Sequence, residues 1–469
     1  MDVLFAVSEC APFVKTGGLA DVAGALPKAL ARVGVRARVL MPAYRGLAAL
    51  PGAVEVAQAE GARVLAVAAE GLDLLLLDAP ALYDRPGGPY LGEDGRDWAD
   101  NAQRFALLSR VAARLAADGV AGWRPAALHV HDWQTALAPV YLGGAGPRTV
   151  LTVHNIAFQG LFPAALGPEL GLPDANFTPE GHEFYGRIGF LKGGLLACDR
   201  ITTVSPTYAR ELASPEFGMG LEGVIAARRG VLEGVLNGVD LDVWNPADDA
   251  HLAARYDAAD PSPRAANRAA LAERFGLEPA ADAPLFGVVS RLTRQKGLDL
   301  LLEALPRLLG RGASLAVIGT GDADLEAALR AASTAHRGRV GAIIGYSEPL
   351  AHLMQGGADV VMVPSRFEPC GLTQLYALRY GAPPLVARTG GLADTVIDAN
   401  AVAVAAGAAT GFQFSPVTAA SLGDAIDRAC DAFHDRAHWA RLVAAAMATP
   451  VGWEASATRY AQIYAELSA

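Results

Sequence analysis

Four basic residues lie in loops that follow predicted strands, in a chain that is acidic overall: Lys15, Arg291, Lys296 and Arg388. Guanidinium groups offer forked donors and ammonium groups a point charge, and both bind phosphate. The four residues therefore predict a diphosphate site. Solvated loop cations are the competing interpretation of the same residues.

The same six residues, Thr-Gly-Gly-Leu-Ala-Asp, occur at 16–21 and again at 389–394, each directly after a basic residue. A Gly-Gly step lets backbone N–H groups approach a ligand closely, because no Cβ intervenes. An apolar run follows each copy, so each is expected to begin a helix, whose N-terminus attracts an anion. We interpret the copies as two anion sites, with ordinary loop-to-helix turns as the alternative.

Other polar side chains follow predicted strands. Glu368 lies in a loop after a buried strand, where a carboxylate is suited to stabilise positive charge on a sugar. Asp132 and His154 each end a strand and either contact substrate or only line a cleft. Tyr346, also at a strand end, either stacks on a flat ring or packs on a neighbouring loop. No Gly-x-Ser-x-Gly elbow competes with these residues.

The signals for a metal or a nicotinamide cofactor are weak. The run from Gly319 is similar to a dinucleotide fingerprint, but Asp324 stands where its third glycine belongs. Asp322 and Asp324 form an Asp-x-Asp pair, for which capping of the next helix is the simpler interpretation. His129 and His131 share a strand face, but no further ligand completes a metal site. The four cysteines are far apart, which indicates reduced thiols.

These residues are positioned by a repeated strand–loop–helix pattern. Predicted strand 3–7, the Lys15 loop, a helix from about 19 to 33 and strand 36–41 form a β-α-β unit, which implies a parallel sheet. Ligands bind at the carboxyl ends of such strands. Four later strands end in polar or small residues, at 131–133, 154–155, 205–206 and 237–238.

A second series of strands and helices begins near 285, after a stretch from 240 to about 264 that lacks periodicity. We predict an N-terminal Rossmann-like domain at 1–240, a connector or hinge at 241–264 and a C-terminal Rossmann-like domain at 265–450. The fold class is therefore α/β, with two Rossmann-like domains facing one cleft and closing on substrate.

Composition narrows the function. The chain has 469 residues and a net charge of −10, and it has no basic run, which argues against nucleic acid as a partner. No apolar run approaches the roughly 18 residues that cross a bilayer. The first residues lack the basic leader of a signal peptide. We expect a cytoplasmic protein without a membrane partner, of unknown oligomeric state.

Taken together and in this order, several stretches resemble those of bacterial glycogen synthases, and are similar also to those of plant starch synthases. The resemblance covers essentially the whole chain. It is carried by residues 15–22, 131–133, 152–155, 235–240, 290–292, 295–297, 364–372 and 388–396.

The resemblance implies the two-domain GT-B glycosyltransferase fold, with the acceptor on the N-terminal side and the nucleotide sugar on the C-terminal side. It implies transfer of glucose from ADP-glucose to the non-reducing end of an α-1,4-glucan, with the anomeric configuration retained. It implies no metal and no other cofactor, because cations and helix N-termini stabilise the departing diphosphate. It also implies that a C-terminal helix, at 451–469, crosses back to the N-terminal domain.

The resemblance also implies roles for individual residues. Lys15, Arg291 and Lys296 would hold the diphosphate, and Tyr346 would pack on the adenine. The implied catalytic residues are Glu368, His154 and Asp132. The implied set that binds ADP-glucose comprises Lys15, Gly18, Asn155, Asn237, Arg291, Lys296, Tyr346, Cys370, Gly371, Thr389, Gly390 and Gly391.

One position departs from the wider fold group, in which many retaining members carry a second Glu eight residues after the first, where it binds the ribose. Tyr376 stands there, so no carboxylate–ribose contact is expected. Retention by attack on the same face as the leaving phosphate and retention by double displacement both stay open. A sugar-nucleotide epimerase and a non-catalytic sugar-nucleotide sensor are the alternative functions.

Overall fold

The computed structural model describes residues 1–468, which divide into two compact units. Unit 1 comprises Met1–Asn237 together with the chain from Trp453 onward, and unit 2 comprises Gly238–Gly452. Each unit has a central sheet that is mostly or wholly parallel, and helices connect most of its parallel strands. The predicted α/β class with two Rossmann-like domains is confirmed.

The large sheet of unit 1 has nine strands. They are β1 (Asp2–Ala6), β2 (Arg36–Pro42), β3 (Val54–Ala59), β4 (Ala62–Ala69), β5 (Leu72–Asp78), β6 (Ala127–His131), β7 (Arg148–Val153), β11 (Arg200–Thr203) and β12 (Leu232–Gly234). Their order is β12-β11-β7-β6-β1-β2-β5-β4-β3, antiparallel only where β4 pairs with β3 and β5. The short strands β8 (Leu161–Pro163), β9 (Glu183–Phe184) and β10 (Arg187–Gly189) form a separate antiparallel sheet.

Helices connect these strands. They are α1 (Gly18–Arg32), α2 (Pro80–Tyr83), α3 (Asn101–Asp118), α4 (Asp132–Thr135), α5 (Leu137–Leu142), α6 (Phe190–Ala197), α7 (Pro206–Glu211) and α8 (Glu222–Ala227). The central strands are largely buried, as expected when helices cover both faces of a parallel sheet; residues 3–6 of β1 are apolar and fully buried, whereas β6 also carries the buried His129 and His131.

Unit 2 has a six-stranded, fully parallel sheet. Its strands are β13 (Leu285–Val289), β14 (Ser314–Gly319), β15 (Val340–Ile344), β16 (Val360–Val363), β17 (Pro384–Ala387) and β18 (Phe412–Phe414), in the order β15-β14-β13-β16-β17-β18. Its helices are α9 (Arg264–Phe275), α10 (Leu298–Gly310), α11 (Ala323–Ala335), α12 (Glu348–Gly357), α13 (Thr373–Arg379), α14 (Gly390–Thr395), α15 (Ala401–Ala405), α16 (Ala419–His434) and α17 (Arg436–Ala448).

The last helix, α18 (Glu454–Ser468), packs on unit 1 against α1 and β6. Tyr460, Ile463 and Tyr464 of this helix are buried. The Tyr464 hydroxyl lies 2.7 Å from His129 Nδ1 of β6, and Arg459 forms an ion pair with Glu233 of β12. Unit 1 is therefore built from two separate parts of the chain.

Candidate active site

A buried carboxylate accepts hydrogen bonds from the Lys15 loop of unit 1. Glu9, which is 3% exposed, accepts hydrogen bonds from the backbone N–H and the hydroxyl of Thr16, both at 2.5 Å. Burial raises the pKa of Glu9. The Lys15 ammonium pairs with Asp21 at 2.7 Å, and α1 begins at Gly18, one residue before its predicted start. Glu9 was not predicted, although it lies in the loop after a buried strand as the predicted residues do.

Asp132 joins two neighbouring strands of unit 1. It follows β6 with φ +53°, a left-handed conformation that is uncommon for a residue with a side chain. Its Oδ1 accepts the backbone N–H of His154 at 2.7 Å and that of Asn155 at 3.4 Å, both just after β7. Burial raises the pKa of Asp132 to about 7, against the opposing effect of these two N–H groups.

His154 is held on its other side by a second histidine. Its Nε2 lies 3.0 Å from Nδ1 of His131, the last residue of β6, and the two rings stack. Burial lowers the pKa of His154 to about 3, so its imidazole is neutral at physiological pH. His131 was predicted only as a weak metal candidate.

The remaining predicted residues of unit 1 lie at the same edge of its sheet. Asn155 accepts the backbone N–H of Ala157 at 3.0 Å, and Asn237 is buried just after β12. Because parallel strands end at one edge, Lys15, Asp132 and Asn237 all lie at the carboxyl edge. Direct hydrogen bonds join Asp132 to the residues after β7.

In unit 2, Glu368 and Lys296 form an ion pair that is mostly buried. Lys296 Nζ lies 2.6 Å from Glu368 Oε2, with side-chain exposures of 18% and 10%. The same oxygen accepts the Ser365 hydroxyl at 2.9 Å. The two residues follow β13 and β16, which pair in the sheet. The structure thus places the predicted sugar carboxylate against a predicted diphosphate cation.

Backbone contacts fix the two loops that carry this pair. The Arg366 N–H donates to Gln295 O at 2.9 Å, and the Gln295 amide donates to Phe367 O at 3.3 Å. Arg366 also forms a forked pair with Asp299 of α10, at 2.7 and 2.8 Å, which lowers the pKa of Asp299. The sequence analysis predicted no role for Asp299 or Arg366.

The second Thr-Gly-Gly copy packs against the Glu368 loop. A Cβ on Gly390, whose φ is +44°, would lie 2.0 Å from Glu368 O, and one on Gly391 would lie 2.2 Å from Cys370 O. The Gly391 N–H already donates to Glu368 O at 3.1 Å and Pro369 O at 3.0 Å. Thr389 is buried, and α14 has only six residues.

The first copy has a different environment. Lys15 and Gly17 are exposed, and a Cβ on Gly17 would meet only Glu9 Oε1, at 4.0 Å. Here the α1 N-terminus and the cation face solvent. The residues of the second copy are buried or partly buried, and only the preceding Arg388 is exposed. Identical residues therefore serve an open loop in unit 1 and a close backbone contact in unit 2.

Three other predicted binding residues of unit 2 lie on its strand-end loops. Arg291 is exposed, and within residues 1–468 its guanidinium makes no hydrogen bond or ion pair. Tyr346 follows β15 with 71% of its surface exposed, and its hydroxyl donates to Glu348 at 2.9 Å. Gly371 has φ +73°, and a Cβ there would lie 2.3 Å from Gln374 Oε1.

Tyr376 has a partner in its own unit. Its ring stacks on Trp244, with ring centroids 3.7 Å apart and planes at 12°. His352 stacks on the opposite side of Trp244, at 3.8 Å. Tyr376 therefore packs on the segment between β12 and α9, which has no helix or strand.

The described residues do not support the metal patterns considered above. Within 1–468, no group of three or more His, Cys, Asp or Glu residues has the geometry to hold a metal ion. Asp324 pairs with Arg294 at 3.0 Å. Asp322 takes the N-cap position of α11 without a side-chain cap, so the capping prediction is wrong; Glu326 instead accepts the Gly321 N–H at 2.9 Å.

Over residues 1–468, none of the helices combines the length and the apolar character that crossing a bilayer requires.

Comparisons with known proteins cover both units. The starch synthase catalytic domain family matches residues 2–227, and the family of glycosyl transferases group 1 matches residues 271–441. The chain is 58% identical to a glycogen synthase of Roseobacter denitrificans, over 100% of this chain and 99% of that protein. It is 55% identical to one of Paracoccus denitrificans, with the same coverage.

A solved structure is also similar over its full length. It is the catalytic domain of starch synthase IV from Arabidopsis thaliana, bound to ADP and acarbose. The TM-score is 0.88 and the identity 31%, over 100% of this chain and 99% of that one.

Proposed function

This chain belongs to the family of bacterial glycogen synthases and plant starch synthases, and from that membership we infer that it is a retaining glucosyltransferase with the GT-B fold. It moves glucose from ADP-glucose to the non-reducing end of a growing α-1,4-glucan. The observation that carries this function is the 58% identity to a glycogen synthase over the whole chain. The ion pair between Lys296 and Glu368 supplies the two charges that the reaction needs.

The reaction separates charge. As the bond from glucose C1 to the phosphate oxygen breaks, negative charge grows on the diphosphate and positive charge on the sugar ring. We assign Lys15, Arg291 and Lys296 to stabilise the negative charge on the diphosphate. The exposed Lys15 loop and the exposed Arg291 guanidinium support that assignment, because both are accessible to an anion. A fixed donor aimed at developing charge contributes more than one that must reorganise.

Glu368 is assigned to stabilise the positive charge on the sugar ring. Four residues of unit 1 are assigned to bind the hydroxyls of the glucose: Asp132, His154, Asn155 and Asn237. Glu368 is 8% exposed, and removal from water strengthens its interaction with a cationic sugar. The Asp132 carboxylate accepts the backbone N–H of His154, which supports placing both residues at the same site. Same-face attack and double displacement are both consistent with these roles.

We assign the binding of the adenine to unit 2 and the backbone N–H contacts to glycine-rich loops of both units. The exposed Tyr346 ring offers a face for the adenine. Gly18 of unit 1 adds N–H groups at the start of α1, while Cys370, Gly371, Thr389, Gly390 and Gly391 shape the backbone beside Glu368. Their close contacts support this, since a side chain on Gly390 or Gly391 would displace the Glu368 loop.

Extension of a glucan is the direct test. The purified protein is incubated with a maltooligosaccharide and either ADP-glucose or UDP-glucose, and chain length and released nucleotide are measured. We expect longer glucans with ADP-glucose. Conversion of ADP-glucose to another sugar nucleotide without acceptor would indicate an epimerase, and binding without turnover would indicate a sensor.

We also propose that no metal takes part. The diphosphate cations come from side chains, so extension is expected to continue unchanged in excess EDTA, with a metal-dependent glycosyltransferase as the inhibited control. Loss of activity that Mg²⁺ or Mn²⁺ restores would contradict the proposal. A cytoplasmic location is proposed from the sequence, and cell fractionation tests it.

A further inference from the structure

Three histidines form a stack in the core of unit 1, beneath the predicted glucose site. His129 and His131 lie on the same face of β6, with ring centroids 4.2 Å apart. His154, just after β7, continues the stack with its centroid 5.3 Å from that of His131. His129 and His131 are fully buried and His154 is 9% exposed. The stack therefore leads from the core to the residue assigned to the sugar.

The ring nitrogens of the two buried histidines are partnered differently. His129 uses both: Nδ1 lies 2.7 Å from the Tyr464 hydroxyl and Nε2 lies 2.6 Å from the Thr152 hydroxyl. His131 uses only Nδ1, which lies 3.0 Å from His154 Nε2. Its Nε2 is buried and has no hydrogen-bond partner in the described part of the chain.

This asymmetry decides which ring carries the shared proton. A neutral imidazole has one N–H donor and one acceptor nitrogen. If His154 donated from Nε2, Nδ1 of His131 would be the acceptor and its proton would sit on Nε2 as a buried donor without a partner. If His131 donates from Nδ1, its Nε2 is only an unpaired acceptor. Buried N–H groups without partners are rarer than under-satisfied acceptors, so the second arrangement is favoured.

We propose that His131 is a positioning residue, which donates from Nδ1 to His154 Nε2 and thereby fixes the proton of His154 on Nδ1. Nδ1 of His154 is neither bonded to protein nor among the buried atoms without partners in residues 1–468. It is the polar atom that this ring offers to solvent. In this tautomer His154 presents a donor, and never an acceptor, to a sugar hydroxyl. The role in catalysis rests on the proposed function; the tautomer does not.

The charge state of the stack is consistent with this arrangement. Burial lowers the pKa of His129 and His131 well below the usual value, and that of His154 to about 3. Each ring therefore carries a single proton at neutral pH, which makes the choice of nitrogen meaningful. Asp132 contacts the backbone of His154 and not its ring, so the tautomer is set by His131.

The test is the nitrogen NMR spectrum of the full-length protein with isotopically labelled histidine, in which the two neutral tautomers have distinct chemical shifts. The His154 signals are assigned by their loss in His154→Gln. We expect His154 to be protonated at Nδ1 and His131 also at Nδ1. Protonation of His154 at Nε2 would overturn the proposal, whether or not the protein transfers glucose.

Two variants of equal shape test the consequence. Asn carries an amide donor near the position of Nδ1, whereas Leu has the same outline without a donor. We expect His131→Leu to shift His154 toward the Nε2 tautomer and to lower kcat by about 10-fold, the order for one orienting hydrogen bond, with the ADP-glucose KM little changed. His131→Asn should restore both readouts. Equal behaviour of the two variants in the spectrum would refute the positioning role.

Discussion

Lys296 and Glu368 are joined by an ion pair before any ligand is considered. One end of the pair is assigned to the diphosphate and the other to the sugar, so each residue sets the charge environment of the other. Breaking a buried pair by removing one partner leaves an uncompensated charge. Substitution of either residue therefore affects more than its own contact.

Glu368→Gln separates the two assignments. We expect turnover to fall at least about 100-fold, the scale for loss of an electrostatic contact made in the transition state. ADP should bind as tightly as before or more tightly, because Lys296 loses its competing anion. Steady-state kinetics and calorimetric titration with ADP measure the two effects. Glu273→Gln, on the exposed face of α9, is the control; near-normal turnover of Glu368→Gln would remove Glu368 from the mechanism.

Asp132 predicts a pH dependence. Its pKa of about 7 lies above its usual value, so the folded protein keeps this proton up to about that pH. We expect activity to rise as the carboxylate forms near pH 7, and this limb of the profile to disappear in Asp132→Asn. A profile through that pH that is identical in both proteins would contradict the assignment.

The same shift predicts a stability effect of defined sign. The unfolded chain releases the Asp132 proton near pH 3.8, whereas the folded chain retains it to about pH 7. Its contribution to the free energy of unfolding is full below the lower value and is lost as pH rises through the higher one. Asp132→Asn should therefore reduce the decline in stability over this interval, measured by denaturant titration at several pH values. An unchanged pH slope would exclude the effect.

Individual site residues were accessible from the sequence only where a polar residue follows an apolar strand. That signal indicated Asp132, His154 and Glu368. The pairs of Lys296 with Glu368 and of Arg366 with Asp299 were not predicted, because a pairing across two loops depends on which strands are neighbours. One sequence does not contain that order.

At the level of loops and helices, the loop with the second Thr-Gly-Gly copy packs against the Glu368 loop and fixes its backbone. Its glycines allow backbone contacts that any side chain would block. The position of Glu368 is therefore set by the start of α14 as well as by its own strand.

Gly391→Ala tests this backbone contact between the two loops. Its Cβ would lie 2.2 Å from the Cys370 carbonyl oxygen, whereas a Cβ on Gly310, at the end of α10, meets nothing within 4 Å. We expect Gly391→Ala to lower stability by about 1–3 kcal/mol, as overpacking does, and to reduce turnover. Gly310→Ala should be neutral or slightly stabilising. Equal thermal unfolding and turnover of the two variants would show that the contact is unimportant.

Strands with buried apolar runs were predicted well: the predicted strands 3–7 and 36–41 match β1 and β2 to within one residue at each end. The half-exposed antiparallel strand β3 was missed because polar residues interrupt its pattern. The strands β8, β9 and β10 have three, two and three residues, too few for a period to be read. Their formation depends on pairing with each other.

At the scale of the whole molecule, unit 1 is completed by a helix that follows unit 2 in the chain. The hydrogen bond between Tyr464 and His129 connects that helix to the histidine stack. The repeated strand–loop–helix pattern predicts two α/β domains, but only the family resemblance implied that the last helix returns.

Tyr464→Phe tests the coupling between α18 and unit 1. It leaves the buried Nδ1 of His129 without a partner, so we expect the free energy of unfolding to fall by about 1–3 kcal/mol. Thermal and denaturant unfolding measure it. Tyr185→Phe, at a position 82% exposed, is the matched control and should change little. If both variants unfold alike, the hydroxyl contributes nothing.

The late return of α18 has a consequence for biosynthesis. A ribosome makes the strands of unit 1 first, then more than 200 residues of unit 2, and only then the helix that covers β6. At roughly 5–20 residues per second, unit 1 waits on the order of ten seconds or more with that face uncovered. A nascent chain released early would lack Tyr464, so only a polypeptide that includes α18 gives the buried Nδ1 of His129 its hydroxyl partner.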